Sequence, residues 1–212
     1  MAINLGTGVN LNQGVSASTS GKQGLLNLNK GGLLNLTKKE RGLDEVNFAI
    51  GWKPAVNGPT ADLDLAAFML ASDGTVHNIP QDVIFFNHKV ANGIRLLKDN
   101  RTGKDGETSD DETIEVTRSQ IENRIRRIVF VATIFEAETK RQTFGMIKDA
   151  FIRAYNRKTG EELCRFELKE VASTSTALVF AELYFDEDDD MMFRAIGESS
   201  IGDLNDLLSM YI

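Results

Sequence analysis

The densest group of chemically active residues is one short stretch, DNRTGKDGETSDDE at positions 99–112. It holds six carboxylates, one asparagine and two glycines, and it has no aliphatic or aromatic residue. Carboxylate and amide oxygens are the ligands that calcium prefers, and glycines let backbone carbonyls turn toward an ion. The stretch is therefore either a solvated loop or a cation-binding loop.

A second pair of acids, Asp62 and Asp64, lies in the stretch ADLDLAAFML. Alternate residues of a strand share a face, so both carboxylates should point one way while Leu63 and Leu65 point into the opposite layer. Two carboxylates about 5 to 7 Å apart repel by a few kcal/mol when they are partly desolvated. We expect a positive partner, and one divalent cation shared with the 99–112 loop would serve.

From the residue types alone, these acids could also belong to solvated turns that bind no ion. Exposed turns favour the same residue types, and a run of charges is usually solvated. The loop does not follow the EF-hand pattern, because Arg101 and Gly103 stand where that pattern needs Asp or Asn. A second acidic run, DEDDD at 186–190, has the composition of a hairpin tip and is at most a weak second ion site.

Catalysis is the weaker interpretation of the acidic residues. The sequence has no GxSxG, P-loop or HExxH pattern. A metal-dependent hydrolase or nucleotide-processing enzyme would need a concave pocket beside the ion and convergent basic residues such as Lys140 and Arg141. We expect a binding protein and not an enzyme, with such an enzyme and a metal-free structural scaffold as the two alternatives.

The single cysteine, Cys164, is expected to be structural, since it lies in the alternating run ELCRFEL. One sulfur cannot run a thiol redox cycle, so direct chemistry on an oxidised substrate is disfavoured. The same count argues against a cysteine zinc site.

The net charge of −7 is concentrated in two places. Residues 99–115 and residues 186–190 each contribute −5, which leaves +3 for the rest of the chain. The general surface is therefore not strongly charged, and nucleic acid is not an expected partner. No apolar run approaches the roughly 20 residues of a membrane-spanning helix, and the first residues do not resemble a secretory signal, so a cytoplasmic protein is expected.

Short runs with strand periodicity dominate the chain from residue 45 onward. They are EVNFAIGWK, DLDLAAFML, DVIFFNH, ETIEVT, IVFVATIF, FIRAYN, EELCRFEL, ALVFAELYF and MMFRAIG. Helical periodicity is brief: Ser119 could cap a turn or two carrying Ile121, Ile125 and Ile128, and an apolar stripe from Ile201 to Tyr211 predicts a C-terminal helix. About nine short strands predict an all-β, two-sheet antiparallel sandwich with a few short helices.

The region before residue 45 divides into a tail and a sheet-forming segment. Residues 1–24 are rich in Gly, Ser, Asn and Gln, which predicts a flexible N-terminal extension before a single domain at 25–212. LLNLNKGG at 25–32 is echoed by LLNLTKKE at 33–40. The Gly31-Gly32 pair between them predicts a hairpin or a strand that crosses between the sheets.

These motifs together resemble the TerD family of tellurite-resistance and general stress proteins. The resemblance runs from about residue 25 to 212 and is carried by LNKGGLLNLTK, GWKP, ADLDLAAF, DVIFFNHK, DNRTG followed by DDETIEV, RQTFGM and FRAIGES. It implies a β-sandwich that binds one or two calcium ions through acidic residues. The implied ligands are Asp62, Asp64, Asp99, Asn100, Gly103, Asp110, Asp111 and Glu112.

The chain also departs from the family pattern in the loop and at its start, where residues 1–24 are an extension that the core family lacks. KDGETS between Gly103 and Asp110 is longer than the usual spacing, which leaves Asp105 or Glu107 as a further ligand, and Asn87 is a lesser candidate. These departures suggest a paralogue within a tellurite-resistance operon. The resemblance implies a stress-response module, associated with tellurite resistance and with phage and colicin defence. Its expected partners are other proteins of such an operon, including a membrane-associated complex.

Overall fold

The structure is a computed structural model that describes residues 26–54, 61–97, 110–168 and 173–212. Five of the loop residues considered above as calcium ligands lie outside the described residues: Asp99, Asn100, Gly103, Asp105 and Glu107. The predicted N-terminal extension, residues 1–24, also lies outside them.

The described residues contain thirteen strands and three short α-helices. The strands are β1 (Asn27–Leu28), β2 (Leu33–Asn35), β3 (Glu45–Pro54), β4 (Leu63–Leu70), β5 (Val83–Ile84), β6 (Val90–Ala91), β7 (Ile94–Leu96), β8 (Glu112–Thr117), β9 (Arg127–Ile134), β10 (Ile147–Asn156), β11 (Glu162–Glu167), β12 (Ala177–Phe185) and β13 (Met191–Ser200). The helices are α1 (Leu36–Lys39), α2 (Ala137–Lys140) and α3 (Leu204–Ser209), and short 3-10 turns lie at Arg118–Gln120 and Phe144–Met146.

The strands form two sheets, which confirms the predicted all-β architecture. The seven-stranded sheet has the order β1-β11-β10-β3-β8-β7-β6, and the six-stranded sheet has the order β2-β13-β12-β9-β4-β5. Pairing is antiparallel throughout except between the edge strand β1 and β11, which are parallel. The edge strands of both sheets, β1, β2, β5 and β6, are only two or three residues long.

The core lies between the sheets and is built from the inward-facing residues of each strand. Phe48 of β3 stacks on Phe130 of β9 with ring centroids 4.5 Å apart, and on Phe193 of β13 at 5.8 Å. All three rings are fully or almost fully buried. Stacked rings drawn from both sheets fix the spacing of the layers, because aromatic side chains bury large areas in defined geometries.

The Gly31-Gly32 pair marks a strand that changes sheets, one of the two outcomes expected from it. β1 pairs with β11 in the first sheet, and β2 pairs with β13 in the second. Gly31 has φ +79, a conformation that favours glycine, and its N–H donates to the carbonyl of Ala195 at 2.8 Å. The turn therefore ties the start of the domain to both sheets.

The C-terminal helix packs on the outer face of the second sheet, as the apolar stripe predicts. Leu207 of α3 is 2% exposed and belongs to a cluster with Phe68 and Leu70 of β4. Asp203 and Asp206 form a capping box at the start of the helix. Ile201 was expected to pack with this stripe and does not, since it precedes the helix and is 77% exposed.

Two local predictions were wrong. The expected helix near Ser119 is a 3-10 turn at Arg118–Gln120, because the Ser119 N–H and hydroxyl both bond to the carboxylate of Asp44. DVIFFNH is not a continuous strand. The chain reverses after β5, where Phe85 and His88 exchange backbone hydrogen bonds at 3.0 and 2.9 Å, so Asn87 lies in an exposed turn.

A buried ion pair organises the connection between β4 and β7. Asp82 has a fully buried side chain and accepts hydrogen bonds from Arg124 Nη1 and Nη2 at 2.7 and 2.6 Å. Asn78 and Asn92 also donate to its carboxylate. Burial alone would raise the pKa of Asp82, but the hydrogen bonds and charge of Arg124 outweigh it and lower that pKa. Asp82 is therefore charged at neutral pH and holds this loop to the body of the domain.

Candidate metal centre

Asp62 and Asp64 lie at the start of β4, as the alternation predicts. Both side chains are half-buried, whereas Leu63 and Leu65 between and after them are at most 1% exposed. Asp64 pairs across the ladder with Thr133 of β9, and the carbonyl of Asp62 accepts from the Phe135 N–H at 2.8 Å. The two carboxylates therefore share the outer face of the second sheet, at the opposite end of β4 from the residues that α3 covers.

Asp111 and Glu112 lie at the start of β8 in the other sheet, and both are almost fully buried at 1% and 2% exposure. Oδ2 of Asp111 accepts from the Trp52 N–H at 2.9 Å and extends the β3–β8 ladder past its last residue pair. Oε2 of Glu112 accepts from the Leu65 N–H at 2.6 Å. β5 does not reach Leu65, so the carboxylate of Glu112 satisfies a backbone donor at the open edge of β4.

The two acidic segments therefore converge at one end of the sandwich. Glu112 contacts the backbone one residue away from Asp64, across the gap between the sheets. Trp52 joins the same place, because its N–H bonds to Asp111 and its indole Nε1 donates to the carbonyl of Ala61 at 3.3 Å. Sequence positions 47 residues apart are thus in direct contact, and residues 98–109 connect to this end directly before Asp110.

Asp110 has a different environment from its two neighbours. Its carboxylate receives a bidentate pair of hydrogen bonds from Arg153 Nε and Nη2, both at 2.8 Å. Arg153 also contacts Glu162 at 3.0 Å, and its guanidinium stacks over the Tyr155 ring at 4.6 Å. The hydrogen bonds to Asp110 are the main reason that the pKa of Arg153 is raised. Both oxygens of Asp110 accept from this one guanidinium, whereas Asp111 and Glu112 accept from backbone amides.

The described residues fit a calcium ion in chemistry but do not complete a site on their own. Asp62, Asp64, Asp111 and Glu112 offer hard oxygen donors at one end of the domain, and calcium takes about 6 to 8 such ligands. Among residues 26–54, 61–97, 110–168 and 173–212, no three His, Cys, Asp or Glu side chains stand close enough to hold a metal. Further donors would have to come from residues 98–109.

The second acidic run forms the hairpin tip between β12 and β13, as its composition suggests. Oδ1 of Asp186 accepts from the backbone amides of Asp188 and Asp190. Asp189 pairs with Arg118 and Arg126, and Asp190 binds Asn35 and Lys38. The hydrogen bond from Asn35 is the largest cause of the lowered pKa of Asp190. Three of the five carboxylates, those of Asp186, Asp189 and Asp190, thus have backbone, amide or basic partners that hold the hairpin.

A cleft of about 970 Å³ opens beside Asp64. One wall is α2 with Phe135, and the other is the segment from Ile201 to Asp206. Arg141 lines the cleft, whereas the ammonium of Lys140 lies 3.5 Å from Glu136 and 4.5 Å from the centre of the Phe135 ring. Of the two basic residues considered for catalysis, Arg141 therefore faces this cleft and Lys140 is held at its rim.

Cys164 is buried in the core, as expected of a structural cysteine, and burial raises its pKa to about 12. A thiol in this state carries almost no thiolate at neutral pH, and the thiolate is the reactive form. Tellurium chemistry at this sulfur is therefore not supported by its environment.

Two residues near the acids were not identified as site residues from the sequence. Trp52 belongs to the GWKP motif, and its backbone and indole hydrogen bonds organise the acidic end. Arg153 lies in the strand run FIRAYN, where only its position on the outer face, opposite the buried Ile152 and Ala154, could have suggested a partner. Local sequence does not reveal the Trp52–Asp111 contact or the Arg153–Asp110 contact, because each joins residues more than 40 positions apart.

Residues 25–211 match the TerD domain family. The chain is 36% identical over 190 residues to the tellurium resistance protein TerD of Serratia marcescens, covering 88% of this chain and 96% of that protein. It is 37% identical over 190 residues to general stress protein 16U of Bacillus subtilis (strain 168), with the same coverage. A crystal structure of a TerD homologue from Streptomyces coelicolor A3(2) superposes with a TM-score of 0.64 at 21% identity, covering 79% and 96% of the two chains, and shows the same fold.

None of the helices in the described part of the chain is long and apolar enough to cross a membrane.

Proposed function

The chain belongs to the TerD domain family of tellurium-resistance and stress-response proteins, and we propose that it is a calcium-binding module of that response that acts by ion-dependent partner binding in the cytoplasm. The partners are other proteins encoded with it for tellurite resistance, a membrane-associated complex among them. The proposal does not give the chain a catalytic role.

The observation that carries the proposal is the contact between the two acidic segments. The 2.6 Å hydrogen bond from Leu65 N–H to Glu112 brings the start of β8 against the backbone of β4, one residue from Asp64. These segments belong to different sheets, so their meeting follows from the fold and not from chain proximity. A divalent cation bound by oxygens of both segments, with further donors from residues 98–109, would offset the repulsion between their carboxylates.

Asp62, Asp64, Asp111 and Glu112 are the described residues that would hold the ion, together with Asp99, Asn100, Gly103 and Asp105 of the preceding loop. Calcium would supply positive charge and link β4, β8 and this loop. Binding only to the folded state stabilises a protein by about 2.7 kcal/mol when the free ion is a hundred times its Kd. Asp110 is the weakest member of the predicted set, because Arg153 already occupies its carboxylate.

Calorimetry on protein treated with EGTA tests the proposal. Calcium should bind with a defined stoichiometry of one or two, magnesium should bind more weakly, and Asp64→Asn should weaken calcium binding by at least about tenfold, or 1.4 kcal/mol. Asp188→Asn is the matched control, since Asp188 is an exposed acid of the hairpin tip. Absence of calcium binding in the wild type would favour the metal-free scaffold.

A metal-dependent hydrolase is the second candidate, and one observation favours it. The cleft beside Asp64 is concave and contains Arg141, as such an enzyme would need. Lys140 does not share this position, because Glu136 and Phe135 hold its ammonium at the rim. Hydrolysis of p-nitrophenyl phosphate or ATP that requires calcium, magnesium or manganese and disappears in Arg141→Met would establish the enzyme. Lack of turnover with all three metals would support binding alone.

A further inference from the structure

The cleft beside Asp64 combines exposed apolar surface with a surplus of acids. Ile201 is 77% exposed, and Phe86 and Phe135 are 37% and 38% exposed. The two phenylalanine rings meet edge to face with centroids 6.3 Å apart, so they form one continuous aromatic surface. Large apolar side chains exposed together around a concavity are typical of a binding surface.

The walls of the cleft are held in place before any ligand binds. The Thr176 hydroxyl donates to the Gly202 carbonyl at 2.7 Å and accepts from the Gly202 N–H at 2.9 Å, which fixes the segment that carries Ile201. On the opposite wall, Glu136 and Arg141 both have φ +53 at the ends of α2. Non-glycine residues in this conformation are uncommon and cluster at functional sites.

The charge of the cleft selects the chemistry of its ligand. Five carboxylates line it against the single guanidinium of Arg141: Asp64, Glu136, Glu138, Asp203 and Asp206. Four of them lie outside the proposed calcium site, so the surplus of negative charge remains when an ion neutralises Asp64. The ammonium of Lys140 lies over the Phe135 ring and beside Glu136, so these two groups already stabilise a cation at the edge of the cleft.

We propose that this cleft binds an extended segment of a partner protein in which a large apolar side chain is flanked by lysine or arginine. The apolar side chain packs against Ile201 and Phe135, and the cationic side chains pair with Glu136 and Glu138 at the rim. Anionic membranes and nucleic acids are repelled by the same acids. A second copy of this chain is a poor occupant, since each copy carries a net charge of −7.

This inference depends on one part of the proposed function, that the protein acts by binding a partner. The peptide titration is therefore run in EGTA and again in calcium, so that binding to the cleft is measured apart from the calcium dependence that the proposed function requires. Peptide binding without calcium binding, or calcium binding without peptide binding, would separate the two proposals.

The test uses isotope-labelled full-length protein and the acetylated, amidated peptide KKLFKK, followed by NMR. Ile201 and Phe135 should shift, and the peptides EELFEE and KKSSKK should bind at least about tenfold more weakly. Ile201→Asp and the double variant Glu136→Lys, Glu138→Lys should each weaken KKLFKK binding by at least about tenfold. Val90→Asp, at a residue 57% exposed outside the cleft, and Glu187→Lys with Asp188→Lys are matched controls that should leave it unchanged.

Several results would overturn the proposal. These are shifts centred on the hairpin tip at 186–190, equal binding of EELFEE, or equal losses in the control variants, since each would indicate nonspecific attraction. Shifts of Ile201 that depend on protein concentration without peptide would make a second copy the occupant. Tighter binding of a synthetic peptide of residues 1–24, which contain one lysine and no acid, would make the chain's own N-terminal segment the occupant.

Discussion

Glu112 allows the structural role and the proposed metal-binding role of one carboxylate to be measured separately. Its side chain is 2% exposed and satisfies the N–H of Leu65, itself 1% exposed, at 2.6 Å. Glu112→Ala removes that acceptor and leaves a small cavity. A buried donor without its partner costs about 1–3 kcal/mol, and each lost buried methylene adds about 0.8 kcal/mol. We expect a loss of about 2–4 kcal/mol in the free energy of unfolding in EGTA, and a larger loss in calcium because the same carboxylate is a proposed ligand.

Glu112→Gln keeps the shape of the side chain and an oxygen that can accept from Leu65. Hydrogen bonds to charged groups exceed neutral ones by about 1 kcal/mol, so the loss in EGTA should be no more than about 1 kcal/mol. The amide removes one negative charge from the proposed calcium site. The stabilisation that millimolar calcium gives the wild type should therefore fall to less than half in this variant.

Urea unfolding of the wild type and both variants, in EGTA and in calcium, gives all the required free energies. Glu187→Gln, at the exposed hairpin tip, is the control for removing one acid from the surface. If Glu112→Gln is as unstable in EGTA as Glu112→Ala, the shape argument fails. If it retains the full calcium gain, Glu112 is not a ligand.

Three further outcomes follow from the buried groups. Arg124→Met should lose about 3–5 kcal/mol of stability by urea unfolding because it strands the buried charge of Asp82; a loss no larger than that of the exposed control Arg41→Met would contradict this. Because the pKa of Asp82 is lowered on folding, the stability difference between wild type and Asp82→Asn should be full above about pH 5 and shrink as pH falls through about 4; a constant difference in acid would refute the assignment. Cys164, with its pKa raised to about 12, should react with Ellman's reagent in urea but not in the native protein; rapid native labelling would show that the core opens.

Strand periodicity was enough to predict most of the sheets. The bounds of β8 and β12 coincide with the runs ETIEVT and ALVFAELYF, and Leu63 and Leu65 are buried as their alternation requires. Period-two patterns carry this information because burial on one face of a strand is a local property of the sequence.

Local patterns failed where distant partners decide the structure. Ser119 has the residue type of a helix cap, but Asp44 binds both its N–H and its hydroxyl and a 3-10 turn results. His88 continues an apparent strand run, yet its ring bonds to the Val83 carbonyl at 2.8 Å and the chain turns back. These partners lie elsewhere in the chain or within a reversal that propensity does not encode.

The acidic residues could be identified from composition, but their contacts could not. The shared cation site of Asp62, Asp64 and the loop acids stays a prediction; Glu112 bonds to the Leu65 N–H, one residue from Asp64. Nothing in the local sequence indicates that Asp110 pairs with Arg153 while Asp111 and Glu112 bond to backbone amides. Alternation along a strand does not account for this, since it would place Asp110 and Glu112 on the same face; the different partners come from the neighbouring strands.

Calcium calorimetry on EGTA-treated wild type and Asp64→Asn decides whether the acidic end of the domain binds calcium. We expect saturable calcium binding to the wild type, binding at least about tenfold weaker in Asp64→Asn, and no change in the control Asp188→Asn. Equal calcium affinity in the wild type and Asp64→Asn, or no binding to either, would contradict this expectation.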